Sequence, residues 1–147
     1  MTNRTFPEAY DVIRPFLTDR LQEKEYDLII DLHRDSADKK TTTLTFNNQS
    51  YRKLYFVVGE DQPYYKFNQL LAENLSAQLN EMVPEISRGV IGKKGDHVDG
   101  IYNHLAKNMV LIELGGIDNT EEINRTISLL AKAISIVLQN QSRMSSV

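Results

Sequence analysis

The chain has 147 residues, 41% apolar and 25% charged, the composition of one globular domain able to bury a core without disulfides or structural metal. It contains no cysteine, which excludes thiolate metal sites, thiol catalysis and disulfide staples, though not any compartment. Seventeen Lys and Arg against twenty Asp and Glu leave a net charge of −3, with no basic run longer than pairs such as Arg52-Lys53 and Lys93-Lys94, so no nucleic-acid partner is expected.

In chain order, Tyr10, Ile13, Leu17 and Leu21 predict a weak helix over about 7–21, which Pro15 should kink or break. Residues 26–32, Tyr-Asp-Leu-Ile-Ile-Asp-Leu, read as a buried strand. Residues 41–47 and 51–59 read as two further strands, and the turn-type residues Asn47 to Ser50 between them predict a hairpin. Phe67, Leu70, Leu71, Leu75, Leu79 and Met82 then recur at helical spacing, bounded by Pro63 and Pro84. Residues 108–114 form a short apolar run that leaves through Gly115-Gly116 and reads as another buried strand. In the last helix Asn119 serves as cap, Glu122 stands at capping-box spacing, and Ile123, Ile127, Leu130, Ala131, Ile134 and Val137 make one face. Residues 142–147 read as a disordered tail, which leaves a single domain over 1–141. Strands alternating with helices predict an α/β, three-layer fold: a mixed, mostly parallel sheet with helices on both faces. No apolar stretch approaches the roughly 20 residues of a membrane helix. The opening residues also lack the apolar centre of a signal peptide.

Ligands of open α/β sheets gather outside the carboxyl ends of the strands. Two strand ends carry reactive side chains, Asp31-Leu32-His33-Arg34-Asp35-Ser36 and Ile112-Glu113-Leu114-Gly115-Gly116. Period-2 alternation turns Glu113 away from Ile112 and Leu114. If buried there, its carboxylate must be paired, protonated or metal-bound; on an edge strand it would simply face water. His33 is either a hydrogen-bonded residue finishing its strand or a ligand. A histidine and a glutamate at adjacent strand ends suit a zinc hydrolase, in which metal polarises a carbonyl and the carboxylate takes a proton from water.

The string Asp31 to Ser36, then Val57-Val58-Gly59, Asn68, Pro84 with Ser87-Arg88-Gly89, Tyr102-Asn103, and Leu111 to Gly116 leading to Asn119-Thr120 resembles the stage II sporulation protein P family. The resemblance runs in matching order from about Tyr10 to Ile134. It implies a zinc-dependent N-acetylmuramoyl-L-alanine amidase of the bacterial cell wall, a peptidoglycan hydrolase cutting the amide between N-acetylmuramic acid and the first L-alanine of the stem peptide. By position, His33 matches a zinc ligand and Glu113 the catalytic carboxylate. Arg34 and Arg88 become contacts to stem-peptide carboxylates or helpers at the oxyanion, or else ion-pair partners of Asp31 or Asp35. Asn103 is placed with the substrate-binding groove, and Asn68 with groove lining or loop fixing. The implied location is the extracytoplasmic face of the membrane or the cell wall.

The family pattern as the resemblance implies it has two more zinc ligands, in a His-Thr-His-like segment and a following glutamate, ahead of the matching region. Residues 1–9 contain no histidine, and His97 and His104 are the other imidazoles of the chain. The alternative to a zinc amidase is therefore an inactive, metal-free amidase-like domain that binds peptidoglycan or a protein partner. A first strand missing from such a sheet would leave an open edge, for which a homodimer is the expected remedy.

Overall fold

A computed structural model of the chain describes residues 6–95, 105–116 and 118–145. The elements are α1 (Phe6–Glu23), β1 (Ile29–Asp35), α2 (Lys39–Thr42), β2 (Thr43–Phe46), β3 (Gln49–Arg52), β4 (Leu54–Gly59), α3 (Tyr65–Met82), β5 (Ser87–Lys93), β6 (Met109–Gly115) and α4 (Thr120–Ser145). Four strands form one sheet in the order β1-β6-β4-β5, and β2 and β3 form a separate two-stranded ribbon. β1 runs parallel to β6 and β5 parallel to β4, while β4 and β6 at the centre are antiparallel. The fold is thus α/β with a mixed, mostly parallel sheet, as the alternation of patterns predicts.

Alternation along the central strands decides what each face does. Leu54, Phe56 and Val58 of β4 and Val110, Ile112 and Leu114 of β6 share one face, where they pack with Leu71, Leu75 and Leu79 of α3 and Leu130, Ala133 and Val137 of α4. Of the expected helix layers, this is the one that the described contacts define. The opposite face carries Tyr55, Val57, Met109, Leu111 and Glu113, joined across the β1–β6 pairing by Asp31, His33 and Asp35.

Several boundaries differ from the sequence expectation. Helix α1 runs through Pro15 without a break. A proline removes one backbone bond, and in the same turn the Thr18 hydroxyl donates to the Arg14 carbonyl at 3.0 Å. The predicted hairpin over 41–59 is in fact shorter. It closes over 43–52 through Asn47 and Asn48, both at positive φ (48° and 62°), as a two-residue turn of the kind matched to strand twist requires. Residues 54–59 leave it to become the central strand β4. Lys53 is the crossing point: its N–H donates to the Thr42 carbonyl in the ribbon side (2.7 Å) and its carbonyl accepts from Gly115 N–H of β6 (2.9 Å). Strand β5 was not anticipated, because Ser-Arg-Gly-Val-Ile-Gly-Lys has too few apolar residues to show a period. On α3, Phe67 and Leu70 of the predicted face are exposed, and Asn68 and Ala72 are buried instead. Helix α4 continues through residues 142–145, which the sequence reading assigns to a tail.

The Lys53 crossing leaves no room beside Gly115. A Cβ there would run into the Thr42 side chain and come within 3.0 Å of the Lys53 carbonyl oxygen, a backbone atom that cannot swing away. Gly115→Ala is expected to destabilise by about 1–3 kcal/mol through this overpacking, read as a lowered midpoint in thermal denaturation followed by circular dichroism. An unchanged midpoint would show that the ribbon can shift away from β6.

Candidate functional site

β1 and β6 are parallel and in register, with His33 opposite Glu113. Both side chains therefore leave the sheet on the same face, at the carboxyl end of two adjacent strands. They open into a cleft of about 630 Å³ lined also by Arg34, Asp35, Ser36, Tyr55 and Lys93. Glu113 is only 7% exposed, although every other residue of β6 is apolar or glycine. Such a carboxylate is costly to bury, and its position at the floor of a polar cleft is what distinguishes it from a surface acid.

His33 is held by its own strand. Asp31 lies two residues earlier on the same face, and His33 Nε2 and Asp31 Oδ1 are 2.8 Å apart. A carboxylate only accepts, so this contact places the proton on Nε2 and, in the neutral ring, the lone pair on Nδ1. Asp31 Oδ2 is buried with no hydrogen-bond partner.

The two candidate arginines separate. Arg34 is exposed and lines the cleft. Arg88 Nη1 donates to Asp35 Oδ2 at 3.0 Å, and its guanidinium lies over the Tyr55 ring at 5.3 Å, so it braces the β4 side of the cleft against the end of β1. Asp35 also accepts from the Ala37 N–H at 2.9 Å, which fixes the turn after β1. Asn68 is wholly buried, and its Nδ2 donates to the carbonyls of Ala106, Lys107 and Met109 at 2.9–3.0 Å. That ties α3 to the segment leading into β6, the loop-fixing role among the two expected of it. Asn103, Tyr102, His97 and His104 lie outside the described residues.

Sequence reading missed Tyr55 and Lys93. Tyr55 sits at the odd position of a strand that reads as uniformly apolar, and the polar tip of a tyrosine between Leu54 and Phe56 was the available signal. Lys93 ends the unanticipated strand β5 and had none.

Zinc, implied by the resemblance, needs three protein ligands and one open position at a catalytic site. Among the described residues no three His, Cys, Asp or Glu side chains converge to hold a metal. The described part of the cleft therefore does not by itself make a zinc site. Also among the described residues, no helix is long and apolar enough to cross a membrane.

Comparison with known proteins adds two findings. Residues 2–135 match the family model described as stage II sporulation protein P. The chain is also 36% identical over 133 residues to the stage II sporulation protein P of Bacillus subtilis (strain 168), an alignment covering 88% of this chain and 33% of that relative. It spans about a third of the relative's length.

Proposed function

Since the chain belongs to the stage II sporulation protein P family, we propose that it is the part of a sporulation cell-wall hydrolase that carries the general base, acting on the amide between N-acetylmuramic acid and L-alanine of peptidoglycan. The observation that supports this most is the juxtaposition of His33 and Glu113 across one strand pairing, both opening on one polar cleft.

In this reading Glu113 takes a proton from the attacking water as its oxygen adds to the amide carbonyl carbon. The same carboxyl then returns the proton to the departing nitrogen as the C–N bond breaks, so proton and bond changes balance. His33, oriented by Asp31, faces the same water. Arg34 at the rim offers a planar fork for a stem-peptide carboxylate. On this reading the site works outside the cytoplasmic membrane, against the wall.

His33 is also proposed as one zinc ligand, with the remaining donors outside the described residues. Zinc would supply polarisation of the carbonyl and acidification of water. The test is zinc titration of wild type and His33→Ala by calorimetry, together with stem-peptide release from purified sacculi. Stoichiometric zinc lost in the variant, with release lost alongside it, is the expected result. Zinc bound by neither protein removes the metal from the reading. Sacculi that pellet both proteins without any release favour the inactive binding domain.

A further inference from the structure

Three strands each carry one side chain to the middle of the cleft. His33 of β1 lies opposite Glu113 of β6, and Tyr55 of β4 lies opposite Glu113 from the other side. The glutamate thus stands in a row between an imidazole and a phenol on one face of the sheet, with Tyr55 half-buried and lining the cleft. Residues directly opposite in an antiparallel pair have Cβ atoms about 4.5–5.5 Å apart, and strand side chains stand roughly upright from the sheet. Tyrosine is longer than glutamate, so its hydroxyl reaches the level of a molecule resting on the Glu113 carboxylate.

The Tyr55 ring is held by an irregularity in the next strand. Leu54 pairs with Ser87 and Phe56 with Val90, so Tyr55 alone stands opposite both Arg88 and Gly89, a β-bulge. Gly89 takes the positive φ of 104° at this bulge. Just before it, Ser87 is gripped by α3. Its N–H donates to Asn80 Oδ1 at 2.8 Å, its carbonyl accepts from Asn80 Nδ2 at 3.2 Å, and its hydroxyl lies 2.6 Å from that of Ser76. The extra residue turns Arg88 toward the cleft, where its guanidinium covers the Tyr55 ring at 5.3 Å while Nη1 is pinned to Asp35 at 3.0 Å. A ring faced by a planar cation that is itself fixed has little freedom to turn.

From this row we infer that Tyr55 is a further catalytic residue, whose hydroxyl donates a hydrogen bond to the carbonyl oxygen of the amide under attack, and that Arg88 is its positioning residue; the assignment rests on the hydrolase reading above. The chemistry of the row selects the role. As water adds to the carbonyl carbon, the oxygen gains negative charge and needs a donor. Glu113 accepts a proton in that step. The His33 nitrogen turned away from Asp31 carries a lone pair in the neutral ring, so it accepts as well. Tyr55 is the neighbour of Glu113 that brings an O–H. Its proton stays on the phenol throughout, and the proton traffic between water, Glu113 and the leaving nitrogen is unchanged.

The experiment follows stem-peptide release from soluble, uncross-linked glycan strands, with kcat and KM separated. Tyr55→Phe keeps the ring and removes the O–H, and is expected to lower kcat by about 10²–10³-fold with KM within about twofold. Arg88→Lys keeps a cation for Asp35 but no flat face for the ring, and is expected to lose up to about 10²-fold in kcat at an unchanged thermal midpoint. A second measurement needs no turnover: a disaccharide-tetrapeptide muropeptide titrated into the Glu113→Gln chain is expected to move the Tyr55 ring resonances in NMR spectra. Full kcat in Tyr55→Phe, or Tyr55 resonances that stay still while others of the cleft move, overturns the inference and leaves the hydrolase reading standing. Full kcat in Arg88→Lys overturns the positioning role. A wild-type chain that releases no stem peptide, with no response to the muropeptide, overturns the hydrolase reading and this inference with it.

Discussion

Glu113→Gln is expected to lower stem-peptide release from sacculi by about 10²–10⁴-fold, the range that a positioned acid–base group supplies, while the chain folds as before. Glutamine keeps the shape of the side chain and its capacity for hydrogen bonds but cannot carry a proton to and fro. Glu113 is 7% exposed in a strand otherwise apolar or glycine, and glutamine of the same size fits the same site, so the thermal midpoint is expected to move by no more than a few degrees. A midpoint that falls by several degrees with release intact would make Glu113 a structural carboxylate. Release and midpoint both unchanged would take the general base away from this strand.

That Glu113 could be singled out at all came from period. A carboxylate inside Met-Val-Leu-Ile-Glu-Leu is anomalous in any sheet, and alternation alone puts it on the face away from Ile112 and Leu114, where the structure has it. The family resemblance read from the separated motifs was likewise legible, and the family match over residues 2–135 bears it out. What the sequence did not carry was anything that depends on neighbours distant along the chain. The strand-like residues from Tyr51 to Val58 run on without showing that the chain changes sheets at Lys53. The same pattern gives no sign that Arg88 is held by Asp35, fifty-three positions away.

The face of α4 shows how tertiary contacts override helical period. Leu130 and Val137 of the predicted stripe are buried, but Ile127 is 40% exposed while Thr126 beside it is fully buried. Thr126 is turned inward because its hydroxyl donates to the Arg52 carbonyl at 2.7 Å and accepts the Arg52 N–H at 3.0 Å. Asn119 does cap the helix, accepting from Glu122 N–H at 3.1 Å. Glu122 at capping-box spacing has another partner: its carboxylate lies 2.7 Å from Arg52 Nε. A local motif was recruited by a buried cation on another element.

That cation sets the second large effect, an expected loss of about 3–5 kcal/mol for Arg52→Met, or a midpoint lowered by roughly 6–20 °C for a chain of this size. The Arg52 side chain is fully buried and bonded to Asp118 at 2.7 Å and to Thr42 Oγ1 at 3.2 Å as well as paired with Glu122. Methionine fills similar volume, so little of the loss should come from packing. Most comes from leaving the Glu122 carboxylate, itself 7% exposed on its side chain, buried without a counter-charge. The double variant Arg52→Met/Glu122→Leu separates these terms, since an apolar pair of matching volume is often as stable as the ion pair it replaces. Recovery of most of the midpoint is expected, and failure to recover would assign the loss to packing or to Thr42 and Asp118. The effect should reach the cleft. Arg52 precedes Lys53, whose carbonyl holds Gly115 of β6 two residues beyond Glu113, so stem-peptide release should fall in Arg52→Met and return with stability in the double variant. Release that stays low after the midpoint recovers would show that Arg52 positions β6 by more than its contribution to folding.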